Sequence, residues 1–253
     1  MQYLFLPDSQ IHLAEGAAFA EGQDHLHLAK VLRAQPGTEA VVVAPNGETW
    51  RCSVTSVEKS RTHFRLEERA DHLTAPEPAV TVTVAQALGK GDKFEQVIQH
   101  GVEAGACAFV PLRTDRTVAD MPKEPGRAAE KVARWNQIAR SAAEQSHRRR
   151  VPEVEAPVRV QALLANPHHA AGLRMLLQPG EQPLKQVVSQ YQSEGSAGER
   201  IVIAIGPEGG WSQQELQAAT DAGWHLVGLG PRVLRTETAA LVAISQILYE
   251  FEM

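Results

Sequence analysis

The stretch IVIAIGPEGGWSQQE, residues 201–215, decides the fold. Its first five residues, Ile201–Ile205, are apolar without alternation, the pattern of a strand buried on both faces of a sheet. Gly206, Gly209 and Gly210 follow, with Pro207 and Glu208 between them. Ser212 then stands three residues ahead of Glu215, the spacing of a capping box at a helix start. A buried strand turning through glycines into a capped helix is a building block of a parallel α/β sheet. Such sheets bind ligands at the C-terminal ends of their strands.

The same grammar extends outward. Downstream, His225–Leu229 reads as a strand and Thr238–Glu252 as a helix. A second loop follows that strand and leads into that helix, Gly228-Leu229-Gly230-Pro231-Arg232-Val233-Leu234-Arg235-Thr236-Glu237-Thr238-Ala239. Neither loop has the form G-x-x-x-x-G-K-[ST] or G-x-G-x-x-G, which argues against a phosphate cradle or a dinucleotide fingerprint. Upstream, Val80–Ala87, Cys107–Leu112 and Gly172–Leu177 read as buried strands, and Lys93–Ala104 and Lys131–His147 as helices. Ser193–Gly198 reads as a short flexible loop. Leu73–Pro78 carries two prolines and reads as a linker. Before it the pattern is β: Thr38–Ala44, an Asn46–Gly47 hairpin signal, Glu48–Val57 with Trp50, Cys52, Val54 and Val57 facing inward, and His63–Glu68. One helix is expected near Asp24–Leu32, with Leu26, Leu28, Val31 and Leu32 supplying apolar contacts. The expectation is two domains, a small β-barrel over residues 1–73 and a larger α/β domain over 74–253.

The chain has 253 residues and a net charge of −5, which does not suit a protein that coats nucleic acid indiscriminately. The average hides an asymmetry. Lys123, Arg127, Lys131, Arg134, Arg140, Arg148, Arg149 and Arg150 are opposed only by Glu124, Glu130 and Glu144, which makes a candidate polyanion surface. No run reaches the roughly 18–20 apolar residues that span a bilayer. Neither a signal peptide nor a membrane partner is expected, and a cytoplasmic protein is. Cys52 and Cys107 fit no metal spacing and read as reduced thiols. His25, His27, His100, His168 and His169 lack ligand-like company, so no metal is expected. To this point the residues give a ligand site at the end of a parallel sheet. An RNA-binding module without catalysis and a protein binding some adenine nucleotide both remain open.

IGPEGGWSQQEL at residues 205–216 and LGPRVLRTETA at residues 229–239 closely resemble the family that methylates N3 of a uridine in 16S ribosomal RNA, within the SPOUT class of methyltransferases. HLAKVLR (27–33), ALGKGDKFEQVIQHGVEAG (87–105), VPLRTDRT (110–117) and EQSHRRRVP (144–152) are similar to other parts of the family pattern, in order along nearly the whole chain. Two positions depart from it. Gln178 stands where the family often has a histidine or a small acidic residue, and His147 where a glycine is common.

The resemblance implies a trefoil-knotted α/β methyltransferase domain behind a small PUA-like β-barrel. It also implies S-adenosyl-L-methionine (SAM) as cofactor, 16S rRNA or the small ribosomal subunit as partner, and a homodimer. The cofactor would lie against Leu177, Gln178 and Pro179, against Ile205, Gly206, Pro207, Glu208, Gly209 and Gly210, and against Leu229, Gly230, Val233, Leu234, Thr236 and Ala239. Arg235, then Arg232, would stabilise the uracil anion, and Glu237 is the nearest carboxylate that could take its proton. RNA contacts are expected from Arg33, Arg116, Arg140, Arg148, Arg149 and Arg150.

Overall fold

The structure, a computed structural model, describes residues 1–118, 121–122, 124–167, 172–194 and 200–252. Lys123, His168, His169 and residues 195–198 of the Ser193–Gly198 loop therefore lie outside the described residues. The chain divides into two compact units. One is Met1–Glu77 together with Ala143–Val151; the other is Pro78–Ala142 together with Pro152–Met253. The first division thus falls four residues beyond the expected 73/74 boundary, and Ala143–Val151 returns to the first unit. Hydrophobic periodicity carries no sign of that return.

The first unit is a six-stranded sheet of β1 (Gln2–Phe5), β2 (Ile11–His12), β3 (Ala17–Glu21), β4 (Glu39–Val43), β5 (Thr49–Val57) and β6 (Arg61–Arg69). The strand order is β1-β4-β5-β6-β3-β2, with β1 parallel to β4 and the remaining pairs antiparallel. The hairpin between β4 and β5 turns at Asn46–Gly47, where Asn46 Oδ1 accepts the Glu48 N–H at 2.9 Å. Leu4, Leu6, Leu28, Val42, Cys52, Val54 and Phe64 fill the core. Each fully buried large aliphatic or aromatic side chain contributes about 1.5–3 kcal/mol. Burial pushes the Cys52 thiol up to about 12, so it behaves as a small apolar side chain whose S–H donates to Ala40 O at 3.3 Å. Buried His25 is satisfied by Thr62, Nδ1 to Oγ1 at 2.9 Å.

The expected helix in this unit is α1 (Gly22–Leu26), which runs into a π-helical turn, His27–Val31. The expectation of four inward apolar residues is corrected here. Leu28 is buried, whereas Leu26, Val31 and Leu32 are exposed. The wider turn, closed by Leu32 N–H to His27 O at 3.0 Å, rotates the residues three and four ahead off the face that Leu28 occupies.

The second unit is built on β7 (Thr81–Ala87), β8 (Ala108–Arg113), β9 (Glu153–Val154), β10 (Val158–Arg159), β11 (Leu173–Leu177), β12 (Arg200–Ile205) and β13 (His225–Val227). The sheet order is β10-β8-β7-β12-β11-β13, with β9 alongside β8, and every pairing is parallel. The described helices are α2 (Lys93–Glu103), α3 (Pro125–Gln145), α4 (Val160–Ala165), α5 (Leu184–Ser193), α6 (Gln213–Asp221) and α7 (Thr236–Glu252). On one face Val110, Leu112, Leu176 and Val202 pack with Leu163 of α4, Ala219 of α6, Trp211 and Trp224. α7 packs against α2 and α5. The chain leaving β13 doubles back on the segment after β11. Pro183 and Gly228 form a parallel bridge, and Gly228 N–H donates to Gln182 O at 2.8 Å. The crossing requires glycine, because a Cβ on residue 228 would stand 2.9 Å from Glu181 O. Among the described residues no helix is long and apolar enough to cross a membrane, and no cluster of three His, Cys, Asp or Glu residues could hold a metal.

Candidate functional site

Parallel pairing puts the C-terminal ends of β11, β12 and β13 side by side, so the three loops leaving them meet. Between them is a cavity of about 400 Å³. Its wall comes from Leu177, Gln178 and Pro179; from Ile205, Gly206, Pro207, Glu208, Gly210 and Trp211; from Val227, Gly228, Leu229, Gly230, Arg232, Val233, Leu234 and Arg235; and from Thr236 and Ala239 of α7. That volume lies within the range of about 300–1,000 Å³ usual for small-molecule sites. The lining is mostly apolar or backbone, with charged groups only from Glu208, Arg232 and Arg235.

Local chemistry holds each loop. After β12, Trp211 tucks its indole beneath the turn and donates Nε1–H to Leu177 O at 2.9 Å, which ties this loop to the end of β11. A Cβ on residue 206 would lie 3.0 Å from the Trp211 ring, so glycine lets the backbone pass there. The expected capping box is present. Ser212 Oγ accepts the Glu215 N–H, and Glu215 Oε2 accepts the Ser212 N–H at 2.8 Å. Glu215 is buried, and its other oxygen accepts the Asp115 N–H at 2.9 Å. Ser212 Oγ donates to Asp115 Oδ2 at 2.6 Å. Arg116 Nη1 donates to Gly209 O at 2.9 Å. The loop after β8 is thus clamped onto the loop after β12. Arg116, expected as an RNA contact, braces this loop while remaining exposed. Gln178 keeps its loop in place through its backbone, its N–H donating to Val227 O at 2.8 Å.

Lys93, at the start of α2, was not among the residues the sequence singled out. Its Nζ lies 2.5 Å from Glu208 Oε1. The hydrogen bond from Lys93 is the largest influence holding the Glu208 carboxyl below the usual carboxylate range. The same bond raises the Lys93 ammonium, with Glu237 adding to the rise and Arg235 opposing it. Lys93, Glu208, Arg235 and Glu237 therefore share one electrostatic neighbourhood at the cavity. Glu237 itself is not part of the cavity wall; it sits in the first turn of α7, where a carboxylate is favoured, and accepts from Thr236 Oγ1 at 3.2 Å. The signal for Lys93 was present in GKGDK, a cation at a helix start where the dipole disfavours it.

The basic stretch is not one surface. Arg148 is buried in the first unit, its side chain 7% exposed, and its guanidinium meets the Glu77 carboxylate through both Nε and Nη2. Glu77 Oε1 also accepts the N–H groups of Arg149 at 2.9 Å and Arg150 at 3.2 Å. Arg149 binds Thr74 Oγ1 at 2.8 Å and Asp71 O at 2.7 Å. His147, in the place of the common glycine, takes φ +56, the backbone a glycine would supply, and stacks on Tyr3 with ring centroids 3.8 Å apart. Arg33 and Arg150 are exposed and Arg140 is half-buried.

Residues 76–248 match the model of the RNA methyltransferase domain, and residues 21–67 match the RNA methyltransferase PUA domain. The chain belongs to the RNA methyltransferase family. The family's ribosomal RNA small subunit methyltransferase E of Bacillus subtilis is 33% identical over 100% of this chain and 98% of its own. The protein of that name from Mycobacterium bovis is 34% identical over 91% of this chain and 85% of its own. Among solved structures, a ribosomal RNA small subunit methyltransferase E from Neisseria gonorrhoeae bound to S-adenosyl methionine superposes with TM-score 0.84. It is 29% identical and covers 99% of this chain and 98% of its own. A methyltransferase from Legionella pneumophila with bound cofactor SAM has the same TM-score at 26% identity, over 98% of this chain and 97% of its own. Family membership assigns the α/β unit to the SPOUT fold and the first unit to the PUA-like fold.

Proposed function

We propose that the protein methylates N3 of a uridine in 16S rRNA of the small ribosomal subunit, using SAM, as a cytoplasmic homodimer. The observation that carries this reading is the cavity made jointly by the three loops, with Arg232 and Arg235 on its wall beside the Lys93–Glu208 pair. Its volume, its apolar floor and its glycine-lined backbone suit the adenosine and methionine parts of SAM. SAM supplies an electrophilic methyl on a sulfonium.

The chain's residues do the rest. Transfer is an in-line displacement, so most of the gain comes from holding acceptor and donor in line. The braces to Leu177 and Gly209 keep the loop after β12 rigid for that purpose. Uridine N3 carries a proton at neutral pH that must leave, and Glu237 is the carboxylate assigned to receive it. Arg235, with Arg232 beside it, stabilises the negative charge that develops on the uracil oxygens. Phosphates are contacted by Arg33 and Arg150 in the first unit, and by Arg116 and Arg140 in the second. Arg148 and Arg149 act by shaping the segment that carries Arg150. The dimer forms through the outer face of α7, where Leu241 and Tyr249 are exposed two turns apart, and through Val233 of the preceding loop, 84% exposed.

The test is methyl transfer from labelled SAM to unmethylated small subunits. Arg235→Ala should lower kcat about a hundredfold or more while SAM affinity and melting temperature hold, as expected for a group that stabilises developing charge. Unchanged turnover would remove Arg235 from the mechanism, and calorimetry showing tight ATP binding without SAM binding would overturn the cofactor.

A further inference from the structure

Gln86 sits near the C-terminal end of β7 with half of its amide unused. The residue is 2% exposed. Its Nε2 donates to Ala87 O at 3.4 Å, a long and weak bond. Among the described residues nothing donates to its Oε1. Turning the amide over would set Oε1 against Ala87 O, so the carbonyl is the open group. Trp224 Nε1 is the other buried side-chain polar atom of the second unit without a partner among the described residues. It stands just before β13, at the end of the sheet away from the three loops. Gln86 stands at the end where those loops meet. A buried acceptor left without a donor destabilises a fold, and an apolar side chain of the same length would not. The strand gains nothing from the amide, so its partner comes from outside the chain.

Sheet geometry sets that amide beside the cavity. Side chains alternate along a strand. Ala85 belongs to the core under α4 and α6, so Gln86 turns to the other face, which α7 covers together with α2. Toward the start of β7 that face is closed: Val84 pairs with Phe109, and Gly101 of α2 and Ile244 of α7 close on the Phe109 ring. Toward the end of β7 the face borders the cavity. Gln86 pairs with Ile205, which stands on the cavity wall, and the start of α7 adds Thr236 and Ala239 to the same wall. Gln86 is therefore one strand, about 4.8 Å, from that wall. Arg232 and Arg235 can only donate, and Glu208 is engaged by Lys93, so an amine entering the cavity finds few side-chain acceptors besides Gln86. We infer that Gln86 is a donor-binding residue at the floor of the cavity, its carbonyl accepting an amine N–H of the bound methyl donor. SAM carries two such groups, the exocyclic amine of adenine and the ammonium of its methionine part. The inference rests on the reading of SAM as the cofactor and adds a side chain that recognises it from the strand beneath the loops.

The decisive variant is Gln86→Met, which keeps the length of the side chain and removes the amide. Its melting temperature should equal or exceed that of wild type, because no partner within the fold is lost. Calorimetry should show SAM and S-adenosylhomocysteine binding about tenfold more weakly, the loss expected for one buried hydrogen bond. A structural role would instead lower melting temperature and affinity together. 5′-Methylthioadenosine, which keeps the adenine amine and lacks the amino-acid part, locates the bond. A matching loss for it assigns the bond to the adenine amine, and no loss assigns it to the ammonium. The proposal is overturned if all three ligands bind the variant as they bind wild type. It is equally overturned if the variant melts well below wild type, which would give the amide a partner in the fold. Wild type that binds SAM through Gln86 but transfers no methyl to ribosomal RNA would sink the proposed function and leave this contact standing.

Discussion

Glu208 ties the loop after β12 to the start of α2 through Lys93. Its carboxyl titrates below the usual range because Lys93 donates to it, and Lys93 titrates above the usual lysine range because of the same bond. A depressed carboxyl contributes stability that is full above the ordinary carboxylate range and is lost as pH falls through the lowered value. A raised ammonium contributes stability that is full below the ordinary lysine range and is lost as pH rises through the raised value. The pair is therefore intact from about pH 5 to about pH 9, and any inflection of activity inside that window belongs to another group. Both side chains are partly exposed, 33% for Lys93 and 46% for Glu208, so the pair shapes the site more than it stabilises the fold. Lys93→Met releases Glu208 toward its ordinary value. Calorimetry of SAM binding across acid pH should then show affinity failing at a higher pH than in wild type; an unmoved acid limb would show that Glu208 does not face the donor. The sequence displayed every member of this group, but Lys93 and Glu208 lie 115 residues apart, and only the fold brings them together.

At the scale of elements, local signals were legible wherever local chemistry decides. The capping box at Ser212, the Asn46–Gly47 hairpin and the unbroken apolar strands β7 and β12 follow from neighbouring residues alone. Two elements were not legible. The π turn misled the reading of Leu26, Val31 and Leu32, because a helical wheel assumes the spacing that this turn abandons. The run Arg148–Arg150 looked like one basic surface, because a carboxylate outside the run, Glu77, takes the side chain of Arg148 inside. Glu77 accepts from the side chain of Arg148 and from two backbone N–H groups, so it fixes the returning segment Ala143–Val151 within the first unit. Glu77→Ala should cost about 2–3 kcal/mol, since a nearly buried guanidinium loses an ion-pair partner and two amides lose an acceptor. Chemical denaturation reads that directly. A loss under about 0.5 kcal/mol, the level of ordinary surface changes, would mean that the clasp is ornamental.

At the scale of the molecule, strand order brings together loops that lie far apart in sequence. A parallel sheet gathers its ligand loops at one end, so residues named from three separate stretches of sequence line one cavity. Gly209 and Glu237 are the exceptions: Gly209 is bound to Arg116, and Glu237 sits in the first turn of α7. What the sequence left out at this scale is any surface defined by exposure, because exposure depends on everything folded around it. The outer face of α7 is such a surface. Leu241→Asp with Tyr249→Asp places charge on two exposed positions and should leave the fold intact while shifting the proposed dimer toward monomer in sedimentation. An unshifted dimer would place the interface elsewhere. The central claim is tested most directly by incubating the protein with SAM and small ribosomal subunits that lack the modification, then mapping the 16S rRNA by mass spectrometry. The account predicts a single new methyl group on N3 of one uridine. No methylated uridine, or a methyl on a ribose or on another base, would contradict it.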